Sequence, residues 1–441
     1  MAKKKSEGYQ ESARFIRILF VIGLLTVVLI GYLVHIELKG KHAYLEHDYN
    51  RRWNQNILRG RILSQEGTTL AWNEWNSETT QETKYCADAE IFAQLIQANC
   101  AGVEMDFDSK LRGREEYFTY GHNKEGETVH MTVSERLQKK AAEAFNQYRP
   151  NNLGAVVAMN PKTGEILCAY SHPKQGEELF RNIAMEAGKE PGSTLKTFWA
   201  AVSLEEDREL SDFNARGSYA GVGNSVTPPA TVNVEQALKY SVNKYFAYLA
   251  DQKLGMELMR EYAEKLYIGK PLEIDGYAAT IKAEFGVEAA RMGIGQGGIS
   301  VSPLHMAMIC STIANDGVLM KPYMISESVR FNGESTYEQQ PEVLQRVFSE
   351  NTTERVKNGM IAVVNESGGT GSNARISGVT VAGKTGTSEG AGENDAWFIG
   401  FAPADNPEIA VAVFVEDAGA GGYSAAPIAK SVMEYWLYQA K

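Results

Sequence analysis

Residues 18–34 read ILFVIGLLTVVLIGYLV, a run without one charged side chain, and no other feature limits the architecture of the chain so strongly. A helix rises about 1.5 Å per residue, so the run is just long enough for a bilayer core of about 30 Å. No polar face interrupts it, which argues against a buried helix of a soluble domain. Lys3, Lys4, Lys5, Arg14 and Arg17 precede the run, against Lys39 and Lys41 after it. The positive-inside bias therefore predicts a cytoplasmic tail over 1–17, a transmembrane helix over 18–36, and all later residues outside the cytoplasmic membrane. A cleaved signal peptide is the competing reading, but GYLVHIELKG offers no small-x-small cleavage site.

With 441 residues the chain exceeds what one core usually supports. Hydrophobic content of 44% and charged content of 22% are those of globular protein. The net charge of −11 leaves no basic surplus for phosphates, which excludes nucleic acid as a main partner. Seven scattered histidines show no H-E-x-x-H spacing and no Cys/His cluster exists, so neither a metal nor a cofactor is indicated. Cys168 and Cys310 lie in apolar runs and are expected as buried thiols. Cys86 and Cys100 would face an oxidising space. Residues 87–98 between them read as helix, however, which puts their ends ~20 Å apart and argues against a bridge.

After the apolar run, residues 37–126 are rich in Asn, Glu, Thr and Trp, and residues 127–441 alternate strands and helices. LGAVVAMNPKTGEILCAYS reads as a hairpin whose turn is Asn160-Pro161-Lys162-Thr163-Gly164. Helices are expected over 193–206, 233–252, 256–266 and 303–315, the last with Ser302 as cap and Pro303 at the first helical position. Strands follow at 379–386, 396–401 and 408–416, and a helix over 425–438 closes the chain. Two strands, a helical block, three strands and a helix predict an α+β fold: one antiparallel five-stranded sheet flanked by helices.

Three short motifs could carry chemistry. In Pro191-Gly192-Ser193-Thr194-Leu195-Lys196, positions i and i+3 of a helix share a face, so Ser193 Oγ and the Lys196 amine can meet. Pro-Gly places Ser193 in the first turn, where free N–H groups favour a developing oxyanion. A buried amine with a lowered pKa could serve as its base. Ser241-Val242-Asn243 sets a hydroxyl and an amide two residues apart, one to move a proton and one to hold a substrate amide. In Lys384-Thr385-Gly386-Thr387, strand alternation puts Lys384 and Gly386 on one face and Thr385 and Thr387 on the other. Gly386 would let a substrate lie against the backbone, and the lysine and threonine groups could hold a carboxylate.

Each motif alone is unspecific, and the chain contains its own decoys. Ser171 and Lys174 repeat S-x-x-K, but Pro173 forbids the helix. Ser241 and Lys244 repeat it again, and Lys162-Thr163-Gly164 repeats the third motif inside a tight turn. Gly293-Ile294-Gly295-Gln296-Gly297-Gly298 matches G-x-G-x-x-G, yet Ile299–Ser302 intervenes before the helix, against a dinucleotide site.

Together the motifs occur in the order S-x-x-K, S-x-N, K-T-G characteristic of penicillin-binding proteins and β-lactamases, with Val242 where Asp is common. The chain resembles class B penicillin-binding proteins, the monofunctional D,D-transpeptidases. GAVVAMNPKTGEIL, PGSTLK, GIGQGGISVSPLHMAMICSTIANDG, AGKTGTSE and DAWFIGFAP all resemble segments of that family's catalytic domain. Arg59-Gly60-Arg61-Ile62, and Gly102-Val103-Glu104 through Leu111-Arg112-Gly113, resemble the ends of its N-terminal module. Likeness thus runs from about 51 to 435. It implies a short pedestal module over 37–126 and a penicillin-binding domain over 127–441. Ser193 is then the acyl-forming nucleophile and Lys196 its base. Ser241 shuttles a proton, Asn243 holds the donor peptide, and Lys384 supports Ser241 and the substrate carboxylate. Thr385 and Thr387 bind that carboxylate along Gly386. The oxyanion hole would be the backbone N–H groups of Ser193 and Thr387.

The implied reaction moves an acyl group from a D-Ala-D-Ala stem peptide to an amine of a neighbouring peptide. β-Lactams would be trapped as slow acyl-enzymes, and a separate glycan polymerase would supply the strands. The pedestal is shorter than in many class B members, and Leu195 stands where Phe is common. Two rivals fit less well. A class A β-lactamase needs Glu-x-x-x-Asn, which is absent between 241 and 351. A non-enzymatic receptor or scaffold needs a signalling part or a lost motif residue, and no motif residue is lost.

Overall fold

The computed structural model describes residues 20–30, 58–76, 81–96, 102–112, 125–174, 181–389 and 392–439. Two compact units follow one another along the chain, 1–57 and 58–441. In the first, residues 20–30 are helical with exposed apolar side chains, Phe20, Leu24 and Val27 among them. Among the described residues no helix is long and apolar enough to cross a membrane. The remainder of the expected 18–36 span lies outside the described residues.

The second unit contains the expected five-stranded antiparallel sheet, ordered 382–388, 395–402, 409–415, 154–159, 166–172. Its strands read as nearly continuous apolar runs because both faces are covered. Alternation divides each strand between two cores. Val156, Ala158, Val411 and Val413 pack with Leu137, Phe145 and Val432 of helices Glu135–Tyr148 and Gly421–Tyr438. Ala155, Val157, Ala410 and Ala412 face the other core, with Phe198 of helix Lys196–Glu205 and Leu304 and Met308 of helix Pro303–Ala314. Strand Ala382–Ser388 pairs on one side only, so a whole edge of the sheet is left for other use.

Among the described residues two long helices lie outside the expected set, Glu135–Tyr148 and Glu350–Asn365. Both carried a readable start: Ser134 Oγ accepts from Leu137 N at 3.1 Å, and Ser349 Oγ from Thr352 N at 3.3 Å. The long helix expected over 233–252 is instead three pieces, Val234–Lys239, Asn243–Tyr248 and a wide-turned segment Leu249–Leu254. The first break is at Ser241, whose φ of 53° no α-helix admits.

A second sheet, of six strands, runs in the order 335–338, 325–329, 128–131, 62–63, 69–76, 81–86. It joins both sides of the boundary expected at 126/127, and draws a hairpin from beyond residue 320. Gly60 and Gly126 cross where no Cβ fits: one on Gly60 would lie 1.9 Å from Glu127 O. Cys86 carries a free thiol, as do the fully buried Cys168 and Cys310; Cys100 lies outside the described residues.

Candidate active site

The three motifs meet in one cleft of about 770 Å³ along the open edge of the five-stranded sheet, bordered by Ser193, Ser241, Asn243, Thr385, Gly386 and Thr387. Ser193 sits in a tight turn, Gly192–Leu195, that leads directly into helix Lys196–Glu205. Gly192 adopts φ 53° and lies so near the edge strand that a Cβ would be 2.4 Å from Thr387 O. Gly386 answers it: a Cβ there would meet Thr194 Cγ2 at 2.8 Å and Pro191 O at 2.9 Å. The Ser193 turn and the K-T-G strand are therefore in backbone contact, which only glycine at both positions permits.

The glycine string 293–298 has a structural use. Gly192 N donates to Gly295 O at 2.9 Å, and a Cβ on Gly295 would stand 1.9 Å from Gly192 O. Trp199 Nε1 of helix Lys196–Glu205 donates to Met292 O at 2.7 Å. The string is a brace behind Ser193. The decoys also resolve. Ser171 Oγ is buried against Ala184 N at 3.0 Å, and Lys244 Nζ donates to the carbonyls of Asn214 and Arg216. Gly164 turns with φ 85° and lies too near Lys321 O for any side chain.

Ser241 is the hub. Its left-handed backbone turns the hydroxyl into the cleft, where Lys196 Nζ lies 3.1 Å and Lys384 Nζ 3.0 Å from Ser241 Oγ. Lys196 Nζ also donates to Ser241 O at 2.8 Å and to Asn243 Oδ1, and Lys384 Nζ donates to Thr385 O at 2.8 Å. Asn243 Nδ2 is held by Gly223 O at 2.8 Å. The Lys196 amine is thus engaged with the second motif, and no hydrogen bond joins it to Ser193 Oγ among the described residues.

Both lysines are completely buried and neither forms an ion pair among the described residues. Burial holds the Lys196 amine well below its ordinary range, and the neighbouring Lys384 cation pushes it further. Burial alone brings Lys384 down to about 7. Two buried amines on one hydroxyl disfavour each other's charged forms, which favours a neutral amine in the site. A neutral amine has two N–H donors and a lone pair. Lys196 Nζ has three oxygen neighbours, Ser241 O, Asn243 Oδ1 and Ser241 Oγ, and in its neutral form two of them would take its protons while the lone pair faces the third.

Some cleft residues lie outside the motifs. Thr370 Oγ1 is 2.7 Å from Thr385 Oγ1, and Arg291 Nη2 pairs with Glu389 at 3.3 Å on the rim. Gln296, Tyr240, Val222 and Tyr423 complete the walls. No local pattern singles out Thr370, because its place depends on how residue 370 returns to residue 385.

A serine at a cleft with two buried amines beside it defines a class: enzymes that pass an acyl group through a serine. Residues 154–434 match the Penicillin binding protein transpeptidase domain, and the chain belongs to that family, in its class B branch. It is 30% identical over 410 residues to the stage V sporulation protein D of Bacillus subtilis, covering 78% of this chain and 61% of that one. It is 30% identical over 379 residues to the peptidoglycan D,D-transpeptidase PbpA of Mycolicibacterium smegmatis, covering 74% and 76%. Among solved structures, the penicillin G acyl-enzyme of penicillin-binding protein A from M. tuberculosis has the same fold, with a TM-score of 0.75 at 24% identity over 86% of this chain and all of that one. The D,D-transpeptidase domain of a peptidoglycan glycosyltransferase from Eggerthella lenta gives 0.73 at 25% identity, over 88% and 100%.

Proposed function

We propose that the chain is a peptidoglycan D,D-transpeptidase that cross-links stem peptides through an acyl-enzyme on Ser193. The observation that carries this is the convergence of two completely buried lysines on Ser241 Oγ, in the cleft that Ser193 borders. Ser193 Oγ attacks the carbonyl carbon of the penultimate D-Ala, and its proton passes to the Lys196 lone pair. Peptide N–H groups of Ser193 and Thr387 receive the oxyanion. The C–N bond then breaks, and the leaving D-Ala takes its proton from Ser241 Oγ, which Lys196 or Lys384 restores. An amine of a second stem peptide attacks the ester, gives up its proton along the same route, and releases Ser193. Asn243 holds the donor peptide, while Lys384, Thr385 and Thr387 hold its terminal carboxylate along Gly386. β-Lactams enter as donor mimics and stay bound, since the acylated ring fragment blocks the acceptor.

The same reading places residues 18–36 in the cytoplasmic membrane, with 1–17 inside and the catalytic part, 127–441, outside. The uncharged run and the exposed apolar side chains of residues 20–30 support it. Residues 37–126 would form a short pedestal, and a separate glycan polymerase would supply strands. The test is the lifetime of the adduct with a fluorescent penicillin. A stable adduct, together with D-Ala release from a D-Ala-D-Ala peptide, is expected. Release of the label within seconds would make the protein a β-lactamase, and folded protein without adduct would remove the enzymatic assignment.

A further inference from the structure

Residues 368–373 belong to none of the three motifs, yet Thr370 borders the cleft and its hydroxyl lies 2.7 Å from Thr385 Oγ1. Its backbone is clamped from two sides. Gly371 N donates to Val363 O at 3.0 Å, at the end of helix Glu350–Asn365. A Cβ on Gly422 would stand 2.5 Å from Thr370 O, and Asn373 Nδ2 donates to Gly422 O at 2.9 Å, at the start of helix Gly421–Tyr438. Two helices therefore present this hydroxyl to Thr385 on a rigid turn.

A threonine hydroxyl has one proton and two lone pairs. Thr385 is nearly buried, so few partners can take that proton. If Thr385 donated to Thr370, it would meet a substrate carboxylate with lone pairs, which repels. If Thr370 donates to Thr385, the Thr385 proton is left for the cleft, and the accepted bond polarises it into a better donor. We propose that Thr370 is a positioning residue that donates to Thr385 Oγ1 and so aims the Thr385 proton at the substrate carboxylate. The proposal rests on the reading of Thr385 as a carboxylate ligand, and it makes Thr370 a determinant of selectivity for substrates with a free terminal carboxylate.

The test compares acylation of the full chain by a penicillin and by its methyl ester, in wild type, Thr370→Val and Thr370→Ser. Thr370→Val removes the hydroxyl at similar volume and should slow acylation by the acid by about tenfold, the worth of one aimed hydrogen bond. It should leave the slower ester reaction unchanged, and Thr370→Ser should restore the acid rate. Equal losses on acid and ester would show that residue 370 only holds the segment in place, and no loss on either would remove its role. Both results overturn the proposal. Wild type that does not discriminate acid from ester would instead sink the carboxylate reading of Thr385.

Discussion

Lys196 and Lys384 are each buried without a carboxylate partner among the described residues, an arrangement that costs stability. For Lys384 the sign is definite. Its folded pKa is about 7 against an ordinary 10.5. Between these values the unfolded chain binds a proton that the folded chain does not, so stability rises with pH at up to about 1.4 kcal/mol per unit. Below pH 7 the whole penalty is present. Lys384→Met, apolar and of similar length, should therefore unfold at a higher temperature than wild type near pH 7, while losing acylation. The gap should narrow as the pH approaches about 10. Calorimetry across that range checks it, and a gap independent of pH would show that Lys384 is not proton-poor in the folded state. These lysines were legible as motif members. That Lys196 turns to Ser241 and Asn243 rather than Ser193 was not, because a side chain with several rotatable bonds goes where acceptors are, and those come from residues 241 and 243.

The elements that were legible are those with a periodic apolar pattern and a local stop signal. Strand Ile409–Val415 and helix Pro303–Ala314, capped by Ser302 and opened by Pro303, fall where patterning puts them. The break at Ser241 had no local signal, since Tyr-Ser-Val contains no glycine, asparagine or proline to mark a left-handed residue. A local helix stop holds it, with Ser241 N donating to Leu238 O at 3.1 Å and Val242 N to Ala237 O at 2.9 Å, and both lysines meet the Ser241 hydroxyl in the cleft. The glycine string was legible as unusual, and its task as a brace became visible only against Gly192. Gly295→Ala tests that brace. Its Cβ would collide with Gly192 O, whereas Gly333→Ala, at φ 85°, meets nothing within 4 Å. Both should lose roughly 1–2 kcal/mol to left-handed strain. Only Gly295→Ala should lose more than that and also acylate slowly. Equal thermal shifts with equal penicillin acylation would remove the brace.

At the scale of the molecule, residues 58–441 form one compact unit in which the six-stranded sheet takes strands from 62–86, 128–131 and 325–338. Such a sheet cannot be read along the chain, because its parallel pairing of Ile62 with Val129 joins residues far apart in sequence. The five-stranded sheet was easier, since its strands come as a hairpin and a three-strand run joined by short turns. If residues 18–36 anchor the chain, full-length protein should sediment with membranes and need detergent for release, while a chain starting at residue 58 should stay in the supernatant and still bind penicillin. Full-length protein that washes off in high salt would contradict the anchor. Everything chemical depends on segments near 193, 241 and 384 sharing one cleft with Ser193 as the attacking group. Acylating the full-length protein with penicillin, digesting it and locating the added mass measures this directly. The label should sit on Ser193 and vanish in Ser193→Ala; a label on any other residue, or one that survives that substitution, would contradict the account.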